Sequence, residues 1–349
     1  ALLDLYEPDM TTKELDPIVD TVRNATVPIL AKIFASSTKI DNSFLVKHYP
    51  EAQQAKLSTK LMKTLGMDME ACRLDKAVHP FCSGAGCSQD VRITTRYNEN
   101  YLTENIYSVI HEAGHALYEQ GFNPEHNSTP LAESISLGIH ESQSRHWENL
   151  IGRSRPFAKF LLPILQKEFP EQLDNVSAED FYKAINIVRR SPIRVEADEV
   201  TYNLHVILRY ELERGIIGGE IKVKDLPGEW NERVKQYIGY TPKNDAEGVL
   251  QDIHWSHGSF GYFATYMLGN LYASQFWATM EKTVGDVNNK VSNGELASIL
   301  DWLRNNIHQH GMRYSASELV KHVTDEKLNP EYFLTYIKNK YGDIYNVEL

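Results

Sequence analysis

The stretch from Ile106 to Gly121, I-Y-S-V-I-H-E-A-G-H-A-L-Y-E-Q-G, constrains this chain more than any other. Its apolar positions Ile106, Val109, Ile110, Ala113 and Leu117 recur at helical spacing, so a helix buried along one face is expected. The same residues carry His-Glu-x-x-His. On a helix, His111 and His115 lie one turn apart and point the same way, which suits two imidazole ligands on one zinc ion. Glu112 lies about 100° round the helix from His111. It cannot easily join that ligand set, but it can reach a water on the metal and take its proton as a peptide carbonyl is attacked. Gly114 leaves room beside the metal or a neighbouring helix, and Gly121 reads as a helix stop.

Such a site needs a third ligand. A second helix is expected over Leu131–Leu150, offering Glu133, His140, Glu141 and His146. Leu137, Gly138, Glu141 and Arg145 share one of its faces. Gly138, one turn before Glu141, permits close approach to the first helix, and Glu141 is nominated as the third ligand. The competing reading is a Glu141–Arg145 surface pair at i, i+4. The longer pattern His-Glu-x-x-His-x-x-Gly-x-x-His is excluded, because Tyr118 and Gly121 stand where it needs Gly and His. A His/His/Glu zinc keeps an open position for water and substrate.

Size and charge exclude several classes. The chain has 349 residues, 42% apolar and 24% charged, with net charge -11. This is ordinary for a soluble globular protein, and an acidic chain is a poor nucleic-acid binder. No apolar run approaches a membrane span. The opening A-L-L-D-L-Y-E-P-D lacks the layout of a signal peptide. Three cysteines, Cys72, Cys82 and Cys87, form no disulfide framework and point to a reducing compartment. With no repeats or linkers, one continuous domain over residues 1–349 is expected.

Elsewhere the pattern is mostly helical. One helix runs from Thr12 through Val27, is interrupted by Pro28 and gives way to a second through Phe34. Residues 51–65 favour helix and Gly66 closes them. His79-Pro80-Phe81 leads into a flexible loop with Ser83, Gly84, Gly86 and Ser88. Asp90–Tyr97 is rich in β-branched residues and reads as a strand, forming a cleft wall whose edge an extended peptide could join. His79, Asp90 and Arg92 are candidate substrate-binding residues; equally, Asp90 and Arg92 at i, i+2 can simply pair with each other. Helices follow over Phe157–Phe169 and from Ser177. Ser191-Pro192 reads as N-cap and first turn of a long helix to about Gly215. In its first turns Asp198 could orient Arg194, whose guanidinium fork would bind a carboxylate, or the two form a structural salt bridge. Asp252, His254, Trp255, His257, Tyr262 and Tyr266 crowd a Gly-rich turn and the helix after it. A His and a Tyr there can donate hydrogen bonds to an oxyanion, if they are not merely core. The last helices are expected over about 295–310, 315–324 and 329–341.

Five blocks now stand in order: His79-Pro-Phe; Asp90-x-Arg92-x-Thr94; His111-Glu-x-x-His115 with His140-Glu141-Ser-Gln; Ile193-Arg194-x-x-Ala197-Asp198; and Gly248-x-x-Gln251-Asp252-x-His254-Trp255. Together they resemble the thermostable metallocarboxypeptidase family typified by carboxypeptidase Taq. The resemblance implies a mainly α, multi-helix, saddle-like fold with a deep groove and a small β-sheet beside the zinc site. It implies release of single amino acids from peptides with a free C-terminus, with broad specificity, by a cytoplasmic homodimer that binds neither nucleic acid nor membrane. By motif position His111, His115 and Glu141 would bind zinc or cobalt and Glu112 would be the general base. Arg194 would take the substrate carboxylate, while His254 and Tyr266 would stabilise the intermediate. Such enzymes carry a long helical segment ahead of the position of Ala1, which this chain is expected to lack. Alternatives are a zinc endopeptidase or dipeptidase of similar helical design, which would not rely on Arg194, or a non-catalytic peptide-binding fragment.

Overall fold

The computed structural model describes residues 1–84 and 87–349; Gly86 of the expected flexible loop lies outside them. Helix α1 (Thr12–Ala35) opens with a capping box, Thr11 accepting from the Glu14 N–H while Glu14 reaches back to the Thr11 N–H. It does not break at Pro28. A stripe of Leu15, Val19, Val22, Ile29, Leu30 and Ile33 is buried on both sides of that proline, and this burial outweighs the cost of about 3 kcal/mol for an interior proline. Helix α2 (Glu51–Leu65) ends at Gly66 as expected, with φ +90°, a conformation open to glycine.

The sheet has strands β1 (Cys72–Lys76), β2 (Cys82–Gly84) and β3 (Val91–Thr95). The order is β1-β3-β2, with β3 parallel to β1 and antiparallel to β2. The strand expected before the motif helix is therefore central. Both its edges are paired, and the open edges belong to β1 and β2, so no peptide can join β3. β2 and β3 pack on helix α3 (Leu102–Gln120). All five apolar positions read from the sequence, Ile106, Val109, Ile110, Ala113 and Leu117, are fully buried.

The expected helix over Leu131–Leu150 is shorter. Glu133 is extended, and Ser136 caps helix α4 (Leu137–Arg145) by accepting from the Ile139 N–H at 3.0 Å. The chain then widens into a π-helical turn, His146–Gly152, a rare form that is frequent at functional sites. Helices α5 (Arg155–Glu168), α6 (Pro170–Leu173) and α7 (Ala178–Ala184) follow, with Ser177 capping α7 as expected. Helix α8 (Glu199–Gly218) starts later than Ser191-Pro192 suggested. The Asp198 carboxylate accepts from the Val200 and Thr201 N–H groups, both at 3.0 Å. A charged cap on two amides fixes the start there, and Arg194–Glu196 is left as a 3-10 turn. Helices α9 (Leu226–Ile238), α10 (Ala264–Val284), α11 (Val287–Ser292), α12 (Ala297–Asn306), α13 (Ala316–Thr324) and α14 (Glu331–Tyr345) complete a mainly helical fold with one small sheet. No helix among the described residues is long and apolar enough to cross a membrane.

Three close approaches hold the centre together. A Cβ on Gly114 of α3 would meet the Ser144 backbone of α4 at 2.6 Å, and one on Gly269 of α10 would meet Glu141 at 2.5 Å. Gly138, expected to face α3, instead faces Glu7 and Tyr272. There the fully buried Glu7 accepts from the Gly138 N–H at 3.1 Å and from the Tyr272 hydroxyl at 2.8 Å. Burial pushes its carboxyl up to about 7, against the hydrogen bonds from Tyr272, Ser136 and Gly138. The unfolded chain then ionises first, so the contribution of this group to stability is full near pH 4.5 and is lost as pH rises through 7. That loss is on the order of 3 kcal/mol. Glu7→Gln keeps the shape without the charge. Urea titrations of the two proteins at pH 5 and pH 8 should show the wild type losing that much more stability; equal losses would refute the assignment.

Candidate metal centre

Helix α3 presents His111 and His115 on one side, and α4 brings Glu141 across from them. Glu141 Oε2 lies 3.7 Å from His111 Nε2 and 3.5 Å from His115 Nε2. The three donor atoms lie within 4.8 Å of one another. Tetrahedral ligands at about 2.1 Å from an ion are about 3.4 Å apart, so the set fits a small divalent cation.

The rings are held from behind. His111 Nδ1 faces Glu148 Oε2 at 2.9 Å, which assigns the proton to Nδ1 and leaves Nε2 free to ligate. His115 Nδ1 lies 3.1 Å from the His140 carbonyl and 2.6 Å from His140 Nδ1, and His140 Nε2 lies 2.8 Å from Glu119. One assignment satisfies all three contacts: His115 donates from Nδ1, and His140 donates from Nε2 to Glu119. Both ligand lone pairs then face Glu141. Burial lowers the His115 pKa to about 3, and a neutral imidazole is what a cation needs. Burial acts upward on Glu141, but Arg145 and His111 hold its carboxyl well below the usual range.

Arg145 donates from Nε to Glu141 Oε1 at 2.7 Å and from Nη1 to Glu148 Oε2 at 3.2 Å. The i, i+4 contact weighed as an alternative to ligation therefore exists and leaves room for it: Arg145 occupies one carboxylate oxygen and the histidines face the other. Arg153 donates to Glu148 Oε1 at 3.1 Å. Glu148 and Arg153 escaped the sequence reading. The π turn places Glu148, and no local spacing announces such a turn.

Glu112 is only 6% exposed, and no hydrogen bond reaches its carboxylate among the described residues. Burial pushes it up to about 7, with His111 opposing. It lies between the donor set and β2: the charges of His111 and Glu141 act on it, and its own acts on Cys82.

A second cluster surrounds Arg194, which is 5% exposed. It is not paired with Asp198, which is occupied at the helix start. Its Nε and Nη2 donate to Asp252 Oδ1 at 3.0 and 2.7 Å, and Nη1 to the Tyr202 hydroxyl at 3.3 Å. Arg209, fully buried, donates to Asp252 Oδ2 at 2.6 Å. Two guanidinium groups thus share one carboxylate. Arg209 was missed, although a lone charge in Val206-Ile-Leu-Arg-Tyr was a usable signal. His254 Nε2 lies 3.2 Å from the Tyr266 hydroxyl. Burial, then Arg194, lowers the His254 pKa to about 4, and burial raises that of Tyr266. Both are neutral, and in this contact one donates to the other.

His79 sits between β1 and β2. Burial and the charges of Arg194, Arg96 and His111 lower its pKa, so it stands near both clusters. Asp90 and Arg92 form an exposed two-point pair at 2.9 Å. Among the described residues, Arg92 makes no side-chain contact with either cluster.

The sequence matches the model of the carboxypeptidase Taq (M32) metallopeptidase family over residues 1–341. It is 43% identical over 345 residues to carboxypeptidase 1 of Bacillus subtilis, covering 99% of this chain and 69% of that protein. It is 45% identical over 345 residues to thermostable carboxypeptidase 1 of Thermus thermophilus, covering 99% and 67%. The crystal structure of an M32 carboxypeptidase from Deinococcus radiodurans superposes with a TM-score of 0.97 at 38% identity, covering 99% of this chain and 69% of that one. This chain spans about two thirds of the length of each. It belongs to the carboxypeptidase Taq family and is a metallocarboxypeptidase.

Proposed function

We propose that the chain releases single amino acids from peptides with a free C-terminus, with broad specificity, using zinc, or cobalt in its place, held by His111, His115 and Glu141. The observation that carries this reading is an excess of positive charge beside the ligand set: Arg194 and Arg209 share the single carboxylate of Asp252. A terminal carboxylate of the substrate would restore neutrality there. When bound, the cation supplies Lewis acidity, polarising the scissile carbonyl and acidifying the attacking water.

In this reading Arg194 fixes the substrate by its last residue, and the geometry of the site then selects the last peptide bond. Glu112 takes the proton of the attacking water and hands it to the departing amine. The neutral, mutually hydrogen-bonded His254 and Tyr266 present a donor to the oxygen that gains charge. A homodimer rests on the family resemblance, a cytoplasmic location on that resemblance and the cysteine usage, and a single domain over residues 1–349 on a sequence without repeats or linkers.

Mass spectrometry of a peptide set with matched free and amidated C-termini, incubated with the zinc- or cobalt-loaded protein, tests the reading. The expected result is a ladder of single losses from free C-termini only. Internal cuts insensitive to amidation would establish an endopeptidase instead.

A further inference from the structure

One side chain touches both clusters. Tyr202, on α8 and 6% exposed, accepts from Arg194 Nη1 through its hydroxyl at 3.3 Å. Its ring faces the Arg145 guanidinium, with Cζ 4.2 Å from the ring centroid. Arg145 in turn spans Glu141 and Glu148, the carboxylates that face His111. A continuous path of contacts therefore runs from Arg194 through the phenol and Arg145 to two of the three candidate ligands.

We propose that Tyr202 is a positioning residue that spaces the carboxylate anchor from the metal: its ring seats Arg145 behind the ligands, and its hydroxyl sets Arg194. The inference rests on the carboxypeptidase reading for the role of Arg194, but its metal half does not. The physical argument is that an arginine is a long side chain with many rotamers, whereas a buried phenol is rigid. A guanidinium stacked on a ring loses its freedom to swing. With Arg145 fixed, the Glu141 oxygen it holds is fixed, and so is the other oxygen, which faces the histidines. The distance between anchor and cation decides which peptide bond is presented. A loosened ruler would blur the choice of the last bond rather than remove the chemistry.

Two substitutions separate the halves of the contact. Tyr202→Phe keeps the ring and removes the hydroxyl. Zinc affinity, measured by chelator competition without substrate, should stay within about two-fold, while KM for a free-C-terminus peptide rises about ten-fold with kcat little changed, the low end expected for one lost hydrogen bond to a charged group. Tyr202→Leu removes the ring as well, and zinc affinity should then fall by about 10- to 100-fold, the range for a lost outer-shell partner. Arg145→Lys, which keeps the charge but cannot span both carboxylates, should weaken zinc similarly and stands in if the Leu variant does not fold. Cobalt spectra give a second readout, unchanged in Tyr202→Phe and altered in the other two. Wild-type zinc affinity in a folded Tyr202→Leu, or in Arg145→Lys, overturns the proposal, as does a Phe variant that loses zinc as the Leu variant does. If the wild type releases no C-terminal residue, the carboxypeptidase reading fails, yet the zinc series still decides the role of Tyr202.

Discussion

Glu112→Gln is expected to lower kcat by about 10³-fold while zinc content and KM stay near wild type. The reasoning starts from position. Glu112 follows His111 by one residue on α3, outside the His111, His115 and Glu141 donor set but close enough to feel the charges of His111 and Glu141. Its carboxylate is buried and meets no hydrogen-bond donor among the described residues, which leaves it free to act on a water. A base works best when its pKa lies near the working pH, and burial brings this one to about 7. Gln has the same shape but cannot accept and return a proton. Replacement removes a buried ionisable group rather than a hydrogen-bonded one, so folding should not suffer. Zinc analysis and steady-state kinetics on one peptide check both halves. Full turnover in a zinc-loaded Gln variant would remove Glu112 from the proposed mechanism.

The parts of the site legible in the sequence are those with local periodicity. The His111/His115 face follows from the 3.6-residue repeat, and so does the buried stripe behind it. Gly66 and Ser177 could be read as helix ends because each acts through its own neighbours. What failed was competition between local signals. Pro28 reads as a break, but burial on both sides carries α1 through it. Ser191-Pro192 reads as a helix start, but Asp198 holds two amides and wins. The rest of the site depends on contacts between distant segments. Asp252 lies 58 residues after Arg194 and 43 after Arg209, and Glu7 reaches α4 across 131 residues. No spacing rule links such partners. The resemblance to a known family supplied Arg194, His254 and Tyr266 as a set, where pattern alone left each with an ordinary structural alternative.

Arg194→Ala should lower kcat/KM for free-C-terminus peptides by about 10²- to 10³-fold, the scale of losing one side of a buried, charge-assisted contact. It should also abolish the preference for free over amidated ends. Counting charges shows why. In the wild type Arg194 and Arg209 face Asp252, leaving one positive charge for an incoming carboxylate. Without Arg194, Asp252 and Arg209 balance each other and nothing recommends a terminal carboxylate over an internal amide. The same balance protects the fold, since Asp252 keeps a partner, and thermal unfolding should confirm a small loss. Arg194→Lys restores the charge but not the fork, because a lysine cannot hold Asp252 through two nitrogens and also reach Tyr202. Its activity should fall between the two, with the preference for free C-termini partly recovered. If instead the Ala variant keeps the wild-type ratio of free to amidated cleavage, the anchor lies elsewhere. His79, which feels the charges of both Arg194 and His111, would be the next group to replace. The ratio is the decisive quantity because a general loss of activity follows from any damage near the ligands. A change in which peptides are chosen while the ligand set stays intact points instead to the groups that recognise or position the terminal carboxylate.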